Sequence, residues 1–85
     1  MTYYITLPGD PAEALMYDDC ILGEISSNGK TFYPNRGFQK FLKIVNKAPA
    51  LLENIQIHDD TNKLLTTEQF LNELGKCQIQ KYTGE

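Results

Sequence analysis

Eighty-five residues, 41% hydrophobic and 22% charged, make a single domain with a modest core and are too apolar for a disordered chain. The longest apolar runs fall far short of the roughly 20 residues of a membrane span. A net charge of −3 argues against a general nucleic-acid coat. That net figure conceals a sorting by sign. Residues 1–29 carry five acids and no Lys or Arg, residues 30–47 carry five bases and no acid, and residues 48–85 are mixed.

Thr2-Tyr3-Tyr4-Ile5-Thr6-Leu7 is β-branched and aromatic, which predicts a strand closed off by Pro8-Gly9. Asp10-Pro11-Ala12-Glu13 reads as a short helix start with Pro at the first helical position. Two strand-like runs, Cys20 to Ile25 and Lys30 to Tyr33, then flank Ser26-Ser27-Asn28-Gly29. The Asn-Gly pair predicts a hairpin with a type I′ turn, positive φ at both centres.

From Arg36 to Lys47 the apolar residues Phe38, Phe41, Leu42 and Val45 repeat at helical spacing. Asn35 is the expected cap, Gly37 weakens the first turn slightly, and Pro49 ends the segment. Ile55 and Ile57 alternate with Gln56 and His58 as in a half-buried strand, and Asp59 to Lys63 supply turn chemistry. Thr66 to Gln69 has the spacing of a capping box, with Leu65 and Phe70 placed as a hydrophobic staple. Phe70, Leu71 and Leu74 share one face of that helix, and Gly75 is its expected left-handed stop. Cys77 to Tyr82 reads as a final strand.

The expected fold is therefore α+β, a sheet of four to five strands with two helices packed on one face. The order of hairpin, helix and returning strand suggests a β-grasp-like arrangement, with a split βαβ order as the alternative.

The principal binding candidate is a basic row. At 100° per residue, Arg36, Lys40, Lys43 and Lys47 fall within about 60° of arc, opposite the Phe38, Phe41, Leu42, Val45 face. Such a row suits an acidic protein surface or a phosphate backbone; the plainer alternative is a solvated helix face whose late lysines complement the helix dipole. Docking of the acidic N-terminal block on this row, within one chain or between copies, is a third reading. His58-Asp59-Asp60 combines residue types of a metal or acid–base site, and Asp18-Asp19-Cys20 forms a second cluster. Neither has a metal-site or EF-hand spacing, and turn-forming acids beside a strand-end histidine explain the first. The five tyrosines suit sheet packing or an interface.

No phosphate-binding, dinucleotide-binding, zinc-protease or serine-nucleophile motif is present, and a domain of this size leaves little room for a pocket of about 300 Å³. No catalytic residue, cofactor or metal is expected. Cys20 and Cys77, 57 positions apart, match no redox or zinc spacing and are expected to be reduced thiols in a cytoplasmic protein. The expected function is non-enzymatic association with a protein partner or with a second copy. Accessory nucleic-acid binding through Arg36, Lys40, Lys43 and Lys47 is the second choice, and no membrane role is expected.

Overall fold

The computed structural model describes residues 1–9 and 18–82. The short helix expected at 10–13 lies outside the described residues. Among the described residues there are six strands, β1 (Thr2–Thr6), β2 (Ile21–Ile25), β3 (Thr31–Pro34), β4 (Gln56–Asp59), β5 (Leu64–Leu65) and β6 (Gln78–Ile79), and two α-helices, α1 (Arg36–Lys47) and α2 (Thr67–Leu74). Short 3₁₀ turns occupy Asp18–Cys20 and Pro49–Glu53. The fold is α+β, with all six strands in one sheet of order β5-β4-β1-β2-β3-β6. Every pairing is antiparallel except β3 with β6 at one edge.

Alternation along β1 sets the two faces of the sheet. Tyr3 and Ile5 join a core with Leu22, Ile25, Phe32, Phe38, Phe41, Ile57, Phe70 and Leu74. Phe32 touches Phe38 of α1 and Phe70 of α2, at centroid separations of 5.2 and 6.1 Å, so both helices cover the same face. Tyr4 and Thr6 pair with His58 and Gln56 on the opposite face. The register shifts between Tyr3 and Tyr4, where Tyr3 opposes Gly23 but Tyr4 opposes Ile21. The extra residue is Leu22, fully buried; a bulge of this kind inserts one more side chain than strict alternation allows.

Three local expectations need correction. First, the β2–β3 turn is not type I′. Gly29 N donates to Ser26 O, which puts Ser27 and Asn28 at the centre of the turn, neither of them at positive φ, and Gly29 after it at φ 73°. Asn28 stays at negative φ because its Oδ1 accepts from Ser26 Oγ and Lys30 N, an arrangement that a tight two-residue turn does not accommodate. Second, β5 was not expected. Leu64 and Leu65 pair back on His58 and Ile57 across a turn in which Asn62 takes a left-handed φ of 69°. Third, Gly75 at the end of α2 is right-handed, φ −62°, and the chain continues in tight turns through Lys76 N to Glu73 O and Cys77 N to Leu74 O.

The start of α2 follows the sequence. Thr66 Oγ1 accepts from Gln69 N at 3.0 Å and Gln69 Oε1 accepts from Thr66 N at 2.9 Å, a reciprocal capping box. Both bonds are exposed, so Thr66→Ala should cost about 0.5–2 kcal/mol in urea unfolding. An unchanged midpoint would show that Thr67 takes over as cap.

Candidate interaction surface

Helix α1 runs over the expected residues, but its buried face is turned. The side chains it buries are Phe38, Phe41 and Ile44, together with Gly37. Leu42 and Val45, expected on the inner face, are each 37% exposed. On a helical wheel the buried centre lies about 60° from the one expected. The cause is Gly37. A Cβ there would stand 2.5 Å from the carbonyl oxygen of Ile21 and 2.9 Å from Leu22 N, so α1 rests directly on the β2 backbone at this point. Direct backbone approach rotates Gly37 and Ile44 inward and Leu42 and Val45 outward.

The rotation redefines the basic row. Arg36, Lys43 and Lys47 are exposed and Lys40 is half-buried, so the four do form one stripe. It flanks the buried face, with Leu42 and Val45 on its far side, and does not lie opposite that face. The exposed arc of α1 thus carries the cations at one edge and Leu42 and Val45 at the other, with exposed Gln39 and Asn46 between them. Lys40, Lys43 and Lys47 make no ion pair with any described residue; Lys76 with Glu73, 3.7 Å apart, does.

The acid–base candidate comes apart in the structure. Successive strand residues face opposite ways, so His58 lies on the outer face while Asp59 is buried on the other. Asp59 Oδ1 accepts from the Thr61 hydroxyl at 2.6 Å, Thr61 N at 2.9 Å and Lys63 N at 3.0 Å. Asp60 Oδ2 accepts from Thr2 N, which ties the turn to β1. His58 Nδ1 is buried and has no hydrogen-bond partner among the described residues. The two carboxylates are therefore committed to the turn.

The Thr61 hydroxyl, followed by the Lys63 and Thr61 amides, holds the Asp59 carboxyl below the usual carboxylate range. A depressed folded-state pKa contributes stability above the unfolded pKa, about 3.9, that disappears as pH falls through the folded value. Urea midpoints should therefore fall below about pH 4. Asp59→Asn should be less stable at neutral pH and show a shallower acid decline; an unaltered acid profile would assign the decline to other carboxyls.

Among the described residues no three His, Cys, Asp or Glu side chains converge as a metal-ligand set. Cys20 is buried and Cys77 half-buried, and they are not joined in a disulfide. Cys20 Sγ approaches Asp19 Oδ1 at 3.7 Å within that second cluster. Tyr3 is buried against Phe70, and desolvation pushes its hydroxyl above the ordinary tyrosine pKa. Tyr33 is 52% exposed on β3, and Tyr4 and Tyr82 are half-buried, so the tyrosines divide between core and surface. Tyr17 lies outside the described residues.

Among the described residues, two open clefts exceed the space expected for so short a chain. One, of about 460 Å³, lies beside Thr2, Glu24, Tyr33 and Asn35. The other, of about 540 Å³, lies between the Pro49–Glu53 turn, the β4–β5 hairpin and the start of α2, and includes Leu52, Ile55, Leu64 and Leu65 with Glu53 and Glu68. Sequence reasoning missed the second because it depends on β5. The signal was the pair of adjacent leucines after the Asp-Asn turn, of which only Leu65 was assigned a role, in the staple with Phe70.

None of the described helices is long and apolar enough to cross a membrane. No family model, curated protein or solved structure matches this chain.

Proposed function

We propose that the chain is a non-enzymatic interaction module that binds a protein partner, a second copy included, through the outer face of α1. The observation that carries this reading is the composition of that face. Three lysines without an ion-pair partner among the described residues line one edge of the exposed arc of α1, and Leu42 and Val45, each 37% exposed, lie at its opposite edge. A protein surface with acidic and apolar parts engages both kinds of side chain. A phosphate backbone engages only the cations. Exposed ion pairs contribute little on their own, so the aliphatic strip supplies affinity and the charges supply register. The two thiols suit a reducing, cytoplasmic setting.

Accessory nucleic-acid binding is the second reading, supported by the spacing of Arg36, Lys40, Lys43 and Lys47 along one helix. Four phosphate contacts on duplex DNA would give a slope of about −3 to −4 in log K against log salt, and affinity confined to low salt.

Lys40→Glu combined with Lys43→Glu separates the two. Light scattering and pull-down should show the association equilibrium shifting while the urea midpoint stays near the parent value. Fluorescence anisotropy with short RNA and DNA at about 0.15 M salt is the counterpart. Micromolar nucleic-acid binding there, lost in the double variant, would reverse the order of the two readings.

A further inference from the structure

We infer that the open cleft beside Thr2, Glu24 and Tyr33, on the sheet face opposite the helices, receives an arginine side chain carried by a polypeptide partner. No side chain of α1 lines this cleft, so the inference goes beyond the proposed role of α1 and stands or falls apart from it.

Alternation along the strands places the site. Tyr3, Ile25 and Phe32 are buried in the core under the helices, so their neighbours Thr2, Glu24 and Tyr33 stand on the other face. Glu24 opposes Tyr33 across the β2–β3 ladder and Thr2 across the β1–β2 ladder. Side chains paired in this way start from Cβ atoms about 5 Å apart. A carboxylate is therefore set between a hydroxyl and a phenol ring that is 52% exposed. The cleft they border holds about 460 Å³, with Ile21 and Pro34 as its apolar part.

Hydrogen-bonding capacity names the ligand. Glu24 is exposed, makes no ion pair with any described residue, and as a carboxylate can only accept. The Thr2 and Tyr33 hydroxyls can accept as well, and Asn35 supplies the one amide group, its Oδ1 already accepting from Arg36 N. Asp60, whose Oδ2 accepts from Thr2 N, adds a second carboxylate next to the row. Neither Lys nor Arg lines the cleft. An acceptor-rich, anionic cleft beside an open aromatic ring suits a planar cation that only donates. A guanidinium pairs bidentately with a carboxylate and stacks on a ring, whereas an ammonium offers a point charge without the plane. A phosphate or carboxylate ligand would meet Glu24 with like charge. Free arginine would leave its own carboxylate without a cationic partner, which assigns the guanidinium to a residue within a peptide chain.

Amide-resolved NMR titration of the full chain with a capped Gly-Arg-Gly peptide tests this. At about millimolar peptide, saturable shifts should centre on Thr2, Gly23, Glu24 and Tyr33, and the lysine counterpart should bind more weakly. Glu24→Gln keeps the size and removes the charge, and should weaken binding about tenfold. Tyr33→Leu removes the ring at an exposed position and should weaken it about two- to fivefold. Tyr33→Phe, which keeps the ring, should lose less than Tyr33→Leu; equal losses would mean that the ring does not hold the guanidinium. Equal binding of the arginine and lysine peptides, or binding undiminished in Glu24→Gln, rejects the guanidinium site. Absence of saturable shifts rejects it as well. The same shifts with methyl glucoside in place of the peptide would overturn the assignment in favour of a neutral polyol.

Discussion

Phe70→Ala should destabilise the fold by about 3–5 kcal/mol, the range for deleting a buried ring. Phe70 is fully buried and forms ring contacts with Tyr3, Phe32 and Phe41 at centroid separations of 5.4, 6.1 and 5.6 Å. One side chain therefore joins α2 to β1, β3 and α1. The eight-residue α2 is too short to persist as an isolated helix, so its stability comes from packing. Its buried residues are Phe70 and Leu74. Total stability for a chain of this length is of order 4–13 kcal/mol, so the loss is a large part of the whole. The urea midpoint should drop sharply, whereas Leu71→Ala, one residue on but 47% exposed, should cost under about 1 kcal/mol. Equal losses at the two positions would mean that α2 packs through a different face.

The sequence was legible where local chemistry decides the structure. The spacing of Thr66 and Gln69 defines a capping box whatever surrounds it, and the alternation around Ile57 defines a strand by burial alone. The extents of α1 and of the hairpin strands follow from the same kind of signal. Features decided by a remote partner were less legible. Strand β5 exists because β4 offers an unpaired edge, and two leucines do not announce pairing by themselves. The short parallel contact of β6 depends on Lys30 and Phe32 carbonyls that accept from Gln78 and Gln80, across nearly fifty residues of sequence. At the candidate surface, the basic row could be read from periodicity, but its neighbours could not. Helical spacing alone put Leu42 and Val45 inside, since Phe38 and Phe41 make a stronger apolar face with them than with Gly37. A glycine carries no hydrophobic signal, yet here it marks the closest approach of helix to sheet.

Gly37→Ala should therefore destabilise the protein, against the expectation from helix propensity. In an exposed helix the change is favourable by about 1 kcal/mol, because glycine loses more backbone freedom on folding. Here the added Cβ would lie 2.5 Å from Ile21 O, 2.6 Å from Ile21 C and 2.9 Å from Leu22 N. All three are backbone atoms of β2, so no rotamer change relieves the overlap and α1 must lift. Overpacking of a buried contact costs about 1–3 kcal/mol, which exceeds the propensity gain over most of its range. The expected net loss is up to about 2 kcal/mol in urea unfolding. Gly75→Ala is the internal control. Gly75 is right-handed at φ −62°, and an added Cβ would meet Asn72 and Leu71 carbonyl oxygens at an ordinary 3.5 Å. That substitution should be neutral or slightly stabilising. A gain in stability at both glycines would mean that α1 does not rest on β2 at Gly37. The outward placement of Leu42 and Val45 would then lose its cause. A loss at Gly37 alone should be accompanied by weaker association, because lifting the first turn of α1 displaces the lysines and the aliphatic strip together.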